Sequence, residues 1–187
     1  MNQAKIRMCE SVYSPAEDSY LLAEAVEEQA FGEVLDLGCG SGIQGITAAL
    51  KGCKVTFADI SEKALECARA NAGLNNIKGE FIKSDLFSGI NRRYNTIIFN
   101  PPYLYSKPIK KLKETGKLDA NLDGGIKGRE LIDKFINRYI DYVNEEHIVL
   151  MLESSLNGYE NDVEKLGGTI IKEKNLFFEK LAVIKFG

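Results

Sequence analysis

The chain has 187 residues, 44% of them hydrophobic, and a formal charge of −3 at neutral pH. That length suits one domain with a substantial core, and the slight acidity argues against a protein that coats nucleic acid by bulk charge, while a local basic patch stays open. No basic, apolar, small-residue leader follows Met1, and the longest apolar run, Ile148 to Leu152, is too short to span a bilayer, so a cytoplasmic protein without membrane contact is expected.

Cys9, Cys39, Cys53 and Cys67 form no C-x-x-C pair, and His147 is the single histidine, so no metal site is expected. Free buried thiols are the default, with disulfides left open by the even count. Nothing in the sequence pairs with His147, which reads as structural.

Ser14-Pro15-Ala16-Glu17 reads as a capping box, with Ser14 at the N-cap and Pro15 at the first helical position, opening a helix to about Gln29. Leu21, Leu22, Ala25 and Val26 would form its apolar stripe. Glu33 to Leu37 is an apolar strand that runs into Gly38-Cys39-Gly40-Ser41-Gly42, followed by a helix from about Ile43 to Leu50. Glycines there let the backbone turn sharply and let a ligand approach it. Ile43 stands where the dinucleotide fingerprint needs a small residue, and no G-x-x-x-x-G-K-[ST] phosphate loop is present, which weakens nicotinamide, flavin, ATP and GTP readings.

A second strand, Lys54 to Asp59, ends in an acid about 20 residues after Gly40, a spacing that suits a carboxylate accepting ribose hydroxyls. Ser61 caps a helix with Ala64, Leu65, Ala68 and Ala72 inward, ending near Leu74. A third strand at Glu80 to Lys83 leads to Ser84-Asp85-Leu86. Asp36, Asp59 and Asp85 thus stand at the ends of three successive strands. Each alone reads as a turn or cap residue; together they read as a ligand site.

Tyr94 to Phe99 is a β-branched and aromatic strand that stops at Asn100-Pro101-Pro102-Tyr103. Proline donates no ladder hydrogen bond and pushes the preceding residue toward extended angles, so Asn100 should be pinned at the strand's carboxyl end, where open α/β sheets bind ligands. The Asn100 amide oxygen, the Pro101 carbonyl and the Tyr103 ring would together suit a planar NH2 group. Taken alone, the tetrapeptide is equally a strand followed by a proline turn.

Leu104 to Ile126 shows little periodicity and carries Lys107, Lys110, Lys111, Lys113 and Lys117. This lysine run reads either as a solvated surface or as a contact for RNA phosphates or an acidic protein face. Gly124 to Glu130 then opens an amphipathic helix whose buried face takes in Leu131, Ile132, Phe135, Ile136, Tyr139, Ile140 and Val143. A strand from His147 to Leu152, a helix near Glu160 to Leu166, a strand near Thr169 to Lys172 and a last strand from about Lys180 to Phe186 close the chain, with Phe177 and Phe178 expected to complete the core. No repeat or linker marks a second domain, so residues 1–187 are expected to form one.

Asp36 to Gly42, Asp59, Ser84-Asp85-Leu86 and Asn100-Pro101-Pro102-Tyr103 together resemble the class I S-adenosylmethionine-dependent methyltransferases that carry an Asn-Pro-Pro-Tyr motif. Within them, Val12 to Ser19, Gly124 to Glu130 and Glu179 to Phe186 are similar to the eukaryotic and archaeal branch of the HemK-like protein methyltransferases. The resemblance implies a Rossmann-like α/β fold: a seven-stranded, mostly parallel sheet with an antiparallel last strand and helices on both faces. It implies that Asp36, Gly38 and Gly40 lie along the methionine moiety of S-adenosylmethionine, that Asp59 takes the ribose hydroxyls, that Asp85 and Leu86 hold the adenine and that Ser19 reaches the cofactor. Asn100 and Pro101, with Pro102 and Tyr103, would hold the group to be methylated, and Asn100 would also contact the cofactor.

The resemblance further implies a substrate and a partner: the glutamine of the Gly-Gly-Gln motif in class I translation release factors, and a small zinc-binding activator subunit. Ser14 stands where this branch has an acid, and Ser19 where it usually has threonine. Two rivals remain at this level. An exocyclic adenine or guanine amine presents the same planar geometry, with RNA favoured over DNA for want of length for a recognition domain. A methyltransferase-like scaffold without activity is the other, against which the intact Asp36, Asp59, Asp85 and Asn100 set argues. Protein lysine is a further possible acceptor.

Overall fold

The computed structural model describes residues 4–102 and 129–187. All seven expected strands form, with β5 and β6 longer than the expected His147–Leu152 and Thr169–Lys172: β1 (Glu33–Leu37), β2 (Lys54–Asp59), β3 (Glu80–Lys83), β4 (Tyr94–Phe99), β5 (Val143–Ser154), β6 (Thr169–Asn175) and β7 (Lys180–Phe186) make one seven-stranded sheet in the order β3-β2-β1-β4-β5-β7-β6. β1 to β5 are mutually parallel and β7 is antiparallel to both β5 and β6. The order reverses between β1 and β4. At that switch point the connections leave in opposite directions, opening a crevice beyond the carboxyl ends of the two strands.

Strands buried on both faces require two apolar layers. Helices α1 (Glu17–Gln29), α2 (Ile43–Leu50) and α3 (Glu62–Leu74) cover one face, where Leu22, Val26, Ile46 and Leu65 meet Val34, Phe57 and Ile98. On the other face α4 (Glu130–Ile136) and α5 (Tyr159–Leu166) enclose Leu35, Leu37, Ile97, Phe99 and Met151 with Phe135 and Ile132. Gly45 is required by close packing: a Cβ there would meet the Phe57 ring at 2.3 Å.

Four expectations need correction. Ser14 does not cap α1; Ala16 holds the N-cap without a side-chain bond, and the helix opens directly on Glu17 and Asp18. The fourth helix stops at Ile136 rather than Val143. Its apolar spacing continues past that point because Tyr139–Tyr142 forms a 3-10 turn, with Tyr142 stacked on Phe87 at 4.4 Å, and Val143 already pairs with Tyr94 as the start of β5. Ile140 is exposed.

Phe177 and Phe178 are also outside the core. They occupy the β6–β7 turn, closed by the Leu176 N–H donating to the Glu179 carbonyl at 2.8 Å, where no layer faces them. Finally, Cys9 and Cys67 are joined in a disulfide, leaving Cys39 and Cys53 free. Asn71 and Asn75 of α3 bring the pair together by gripping the extended segment before Cys9: Asn75 bonds Lys5 N and O at 2.9 and 2.8 Å, and Asn71 bonds Arg7 N and O at 2.9 and 3.1 Å.

No helix among the described residues is long and apolar enough to cross a membrane, and they hold no cluster of His, Cys, Asp or Glu suited to a metal. His147 lies in β5, packed beside Gly187.

Candidate active site

A cavity of about 330 Å³ fills the crevice at the switch point. Asp36 reaches it from β1, Gly38 and Gly40 from the following turn, Asp59 from the end of β2, Asp85 and Leu86 from beyond β3, Ser19 from α1, and Asn100, Pro101 and Pro102 from the end of β4. The structure therefore brings these residues together around one space. Tyr103 and the lysine-rich stretch 107–117 lie outside the described residues.

The β1–α2 turn is built for close approach. Gly38 and Gly40 have φ of +68° and +51°, in the left-handed region that side chains disfavour. A Cβ at either would meet no protein atom nearer than 3.9 Å, so the space it would occupy is open. The turn is fixed from β2: Asp59 Oδ2 accepts the Gly40 N–H at 3.0 Å, while Oδ1 accepts the Ser61 N–H at 2.8 Å. Each oxygen retains a lone pair for a further donor. Across the cavity Leu86 also has positive φ, +46°, and its carbonyl accepts the Ser84 hydroxyl at 2.6 Å. A left-handed non-glycine residue at a cavity wall is a local cost the surrounding bonds must hold in place.

Asp36 is almost wholly buried, and its Oδ2 accepts the Gly45 N–H at 2.8 Å. Burial pushes its carboxyl up to about 8, with the Asp59 charge adding to the rise and the Gly45 bond opposing it.

The Asn100 amide is oriented by one bond. Its Nδ2 donates to Asp18 Oδ2 at 3.1 Å, and its Oδ1 is buried with no hydrogen-bond partner among the described residues. A buried acceptor left unmet in the protein costs on the order of 1–3 kcal/mol and marks a place where a ligand donor belongs. Sequence reading leaves Asp18 as an unexplained acid beside Tyr13 and Ser19 at the start of α1 and gives it no role; it passes over Gln44, whose Nε2 donates to the Ser19 carbonyl at 2.9 Å and whose Oε1 is a second buried, unmet acceptor on the cavity wall. A polar residue in the otherwise apolar first turn of α2 was the available signal for Gln44. The Tyr13 hydroxyl donates to Asp18 Oδ1 at 3.0 Å, and burial, then the Asp18 charge, holds that phenol above its ordinary value.

The model of the methyltransferase small domain family matches residues 5–116. The chain belongs to that family. The methyltransferase is 37% identical to a Methanocaldococcus jannaschii protein that carries the provisional name protein N5-glutamine methyltransferase, over 87% of this chain and 82% of that one. It is 29% identical to human methyltransferase HEMK2, over 94% of this chain and 89% of that one, in keeping with the HemK-like resemblance. Its fold is shared with Thermus thermophilus 16S rRNA N2 G1207 methyltransferase, solved with AdoMet and guanosine, at a TM-score of 0.69 and 19% identity over 92% of this chain and 43% of that one.

The cofactor of this enzyme is S-adenosylmethionine, and the cavity fits it. The glycine turn leaves room against bare backbone, Asp59 offers carboxylate oxygens with lone pairs to spare, Asp36 offers a carboxyl, and Gln44 Oε1 is an unmet acceptor beside them. When bound, that group supplies an activated methyl on a sulfonium, so the chain itself needs no nucleophile.

Proposed function

We propose that this enzyme methylates the side-chain amide nitrogen of a glutamine in a protein, the Gly-Gly-Gln glutamine of class I translation release factors. The observation that carries this reading is the buried Asn100 Oδ1 at the carboxyl end of β4, without a hydrogen-bond partner among the described residues and next to the Pro101 carbonyl. An amide nitrogen is a poor nucleophile because its lone pair is shared with the carbonyl. Asn100 Oδ1 and the Pro101 carbonyl accept its two N–H bonds, orienting the nitrogen and favouring the form in which that sharing is lost. Pro102 and Tyr103 would flank the amide.

In the same reading Asp36, Gly38, Gly40 and Ser19 hold the methionine part of the cofactor, Asp59 the ribose, and Asp85 with Leu86 the adenine. Residues 1–187 act as one methyltransferase domain in the cytoplasm, paired with a small zinc-binding activator. The glutamine-methyltransferase name of the M. jannaschii relative supports the acceptor; the activator follows from the HemK-like resemblance alone.

The test is mass spectrometry of a release factor incubated with the enzyme, S-adenosylmethionine and a candidate activator, looking for one methyl on the Gly-Gly-Gln glutamine. An unmodified factor alongside methylated RNA in a parallel reaction would replace this acceptor by an exocyclic base amine, which Asn100 Oδ1 would hold in the same way. In that case phosphate contact through the lysine-rich 107–117 stretch would become the expected mode of docking.

A further inference from the structure

Phe177 and Phe178 are 92% and 85% exposed and pack edge to face at 4.6 Å between ring centroids. Two adjacent bare rings present a large apolar surface of the kind that marks interaction sites. Their position ties them to the active site. Just past β5's carboxyl end, the Ser155 N–H donates to the Lys180 carbonyl at 2.8 Å and the Lys180 N–H donates to Ser155 Oγ at 3.0 Å, so the β6–β7 turn projects from the sheet edge that carries Asn100. In the order β4-β5-β7-β6, β7 is two strands from β4, about 10 Å at the usual strand spacing.

The start of α1 spans that gap. Glu17 pairs with Lys174 of β6, while the next residue, Asp18, holds Asn100. Glu179, at the turn itself, is close enough for its charge to act on Tyr13, which lines the cavity. The charges beside the rings disfavour a phosphate backbone as the occupant: Lys174 already faces Glu17 and Lys180 already faces Glu173 at 3.1 Å, with Glu179 adding a further negative group. An apolar pair flanked in the chain by ion-paired lysines and an acid, at the sheet end that carries Asn100, suits a protein surface.

We propose that Phe177 and Phe178 dock the protein substrate, seating an apolar patch next to the loop that presents its glutamine. This rests on the protein-glutamine reading above. Because aromatic anchors commonly dominate an interface, replacing both rings should raise KM for the whole release factor by about tenfold.

The experiment compares the wild type with Phe177→Ser/Phe178→Ser on an intact release factor, with activator in excess. It reads kcat, KM, S-adenosylhomocysteine affinity by calorimetry, and solution mass by light scattering. A KM raised about tenfold with kcat and S-adenosylhomocysteine affinity unchanged supports the proposal. An unchanged KM overturns it, as does a loss confined to kcat. A loss that added activator reverses would assign the rings to the activator, and a dimer broken by the substitutions with KM unchanged would assign them to a second copy; both overturn it. If the wild type leaves the release factor unmethylated, the acceptor reading itself fails and this docking falls with it, a result distinct from an active wild type and an equally active variant.

Discussion

Asp18 holds Asn100 by a single bond between residues 82 positions apart, Oδ2 accepting Nδ2 at 3.1 Å. Its other oxygen accepts the Tyr13 hydroxyl at 3.0 Å, the Ser19 N–H at 2.7 Å and the Ser19 hydroxyl at 3.2 Å. A carboxylate can only accept, so it selects the amide rotamer in which Asn100 turns Nδ2 toward α1 and Oδ1 away from it. In Asp18→Asn the new side chain can donate as well as accept, and that selection is lost. Misplacing Asn100 Oδ1 should lower kcat by up to about a hundredfold while S-adenosylhomocysteine affinity changes far less. Asn100→Ala should abolish transfer with the same sparing of affinity. Equal losses in kcat and affinity for either variant would mean that these residues serve the cofactor rather than the acceptor.

Asp36 is the site's proton-linked group. Its folded pKa is raised to about 8, so near neutral pH it holds its proton. A cationic ligand beside it favours the charged form. Binding S-adenosylmethionine at pH 7 should therefore release protons, seen as a dependence of the calorimetric enthalpy on buffer ionisation heat, and affinity should strengthen as pH rises from 6 toward 9. Asp36→Asn should abolish the release. Proton uptake, or an enthalpy independent of buffer, would place the cofactor's positive groups away from Asp36.

The Cys9–Cys67 bridge spans 58 positions and fastens the segment leading to Val12 and Tyr13 of the cavity wall onto α3. Closing a loop of that length restricts the unfolded chain by about 4 kcal/mol in the entropy model. For a chain of this size, reduction should lower Tm by on the order of 10 °C. Cys9→Ser should show the same Tm as the reduced wild type and no further response to reductant. A non-reducing peptide map without the Cys9–Cys67 linkage would remove the basis of this expectation.

What the sequence disclosed and what it hid follow from the range of the interactions involved. The strands β1, β2 and β4 were legible because each is a short, largely apolar run that ends at a glycine, an acid or the Asn100-Pro101 corner, and Ser61 was legible as a cap because its bond to the Ala64 N–H at 3.4 Å is local. The overlong fourth helix arose because apolar residues at helical spacing continue through a 3-10 turn into β5. Phe177 and Phe178 carry the composition of a core, yet they stand in a turn that no layer covers. The role of Asp18 and the pairing of the cysteines were hidden for a different reason: the Asn100 contact and the Cys9–Cys67 approach are set by tertiary structure, which no local pattern reports.

Glu153 makes the last prediction, away from the cavity. It is fully buried on β5, and neither carboxyl oxygen has a hydrogen-bond partner among the described residues. The nearby cation is committed elsewhere: Arg129 bonds Asp162 at 2.7 and 2.9 Å, Asp133 at 2.9 Å and the Asn157 carbonyl at 2.8 Å, but stands 3.6 Å from Glu153. Burial first, and the Asp162 charge next, push the Glu153 carboxyl well above the usual carboxylate range, against the opposing pull of Arg129. A raised folded pKa means that the folded state binds the proton more tightly, so this contribution to stability is complete below the ordinary value of about 4.3 and is lost as pH rises toward the folded one. Glu153→Gln cannot ionise and keeps donors for Asp162, so it should match the wild type near pH 5 and exceed it at pH 9 by on the order of 5 °C in Tm. Tm curves that run parallel from pH 5 to pH 9 would show that Glu153 is charged in the folded protein and that Arg129 compensates it after all.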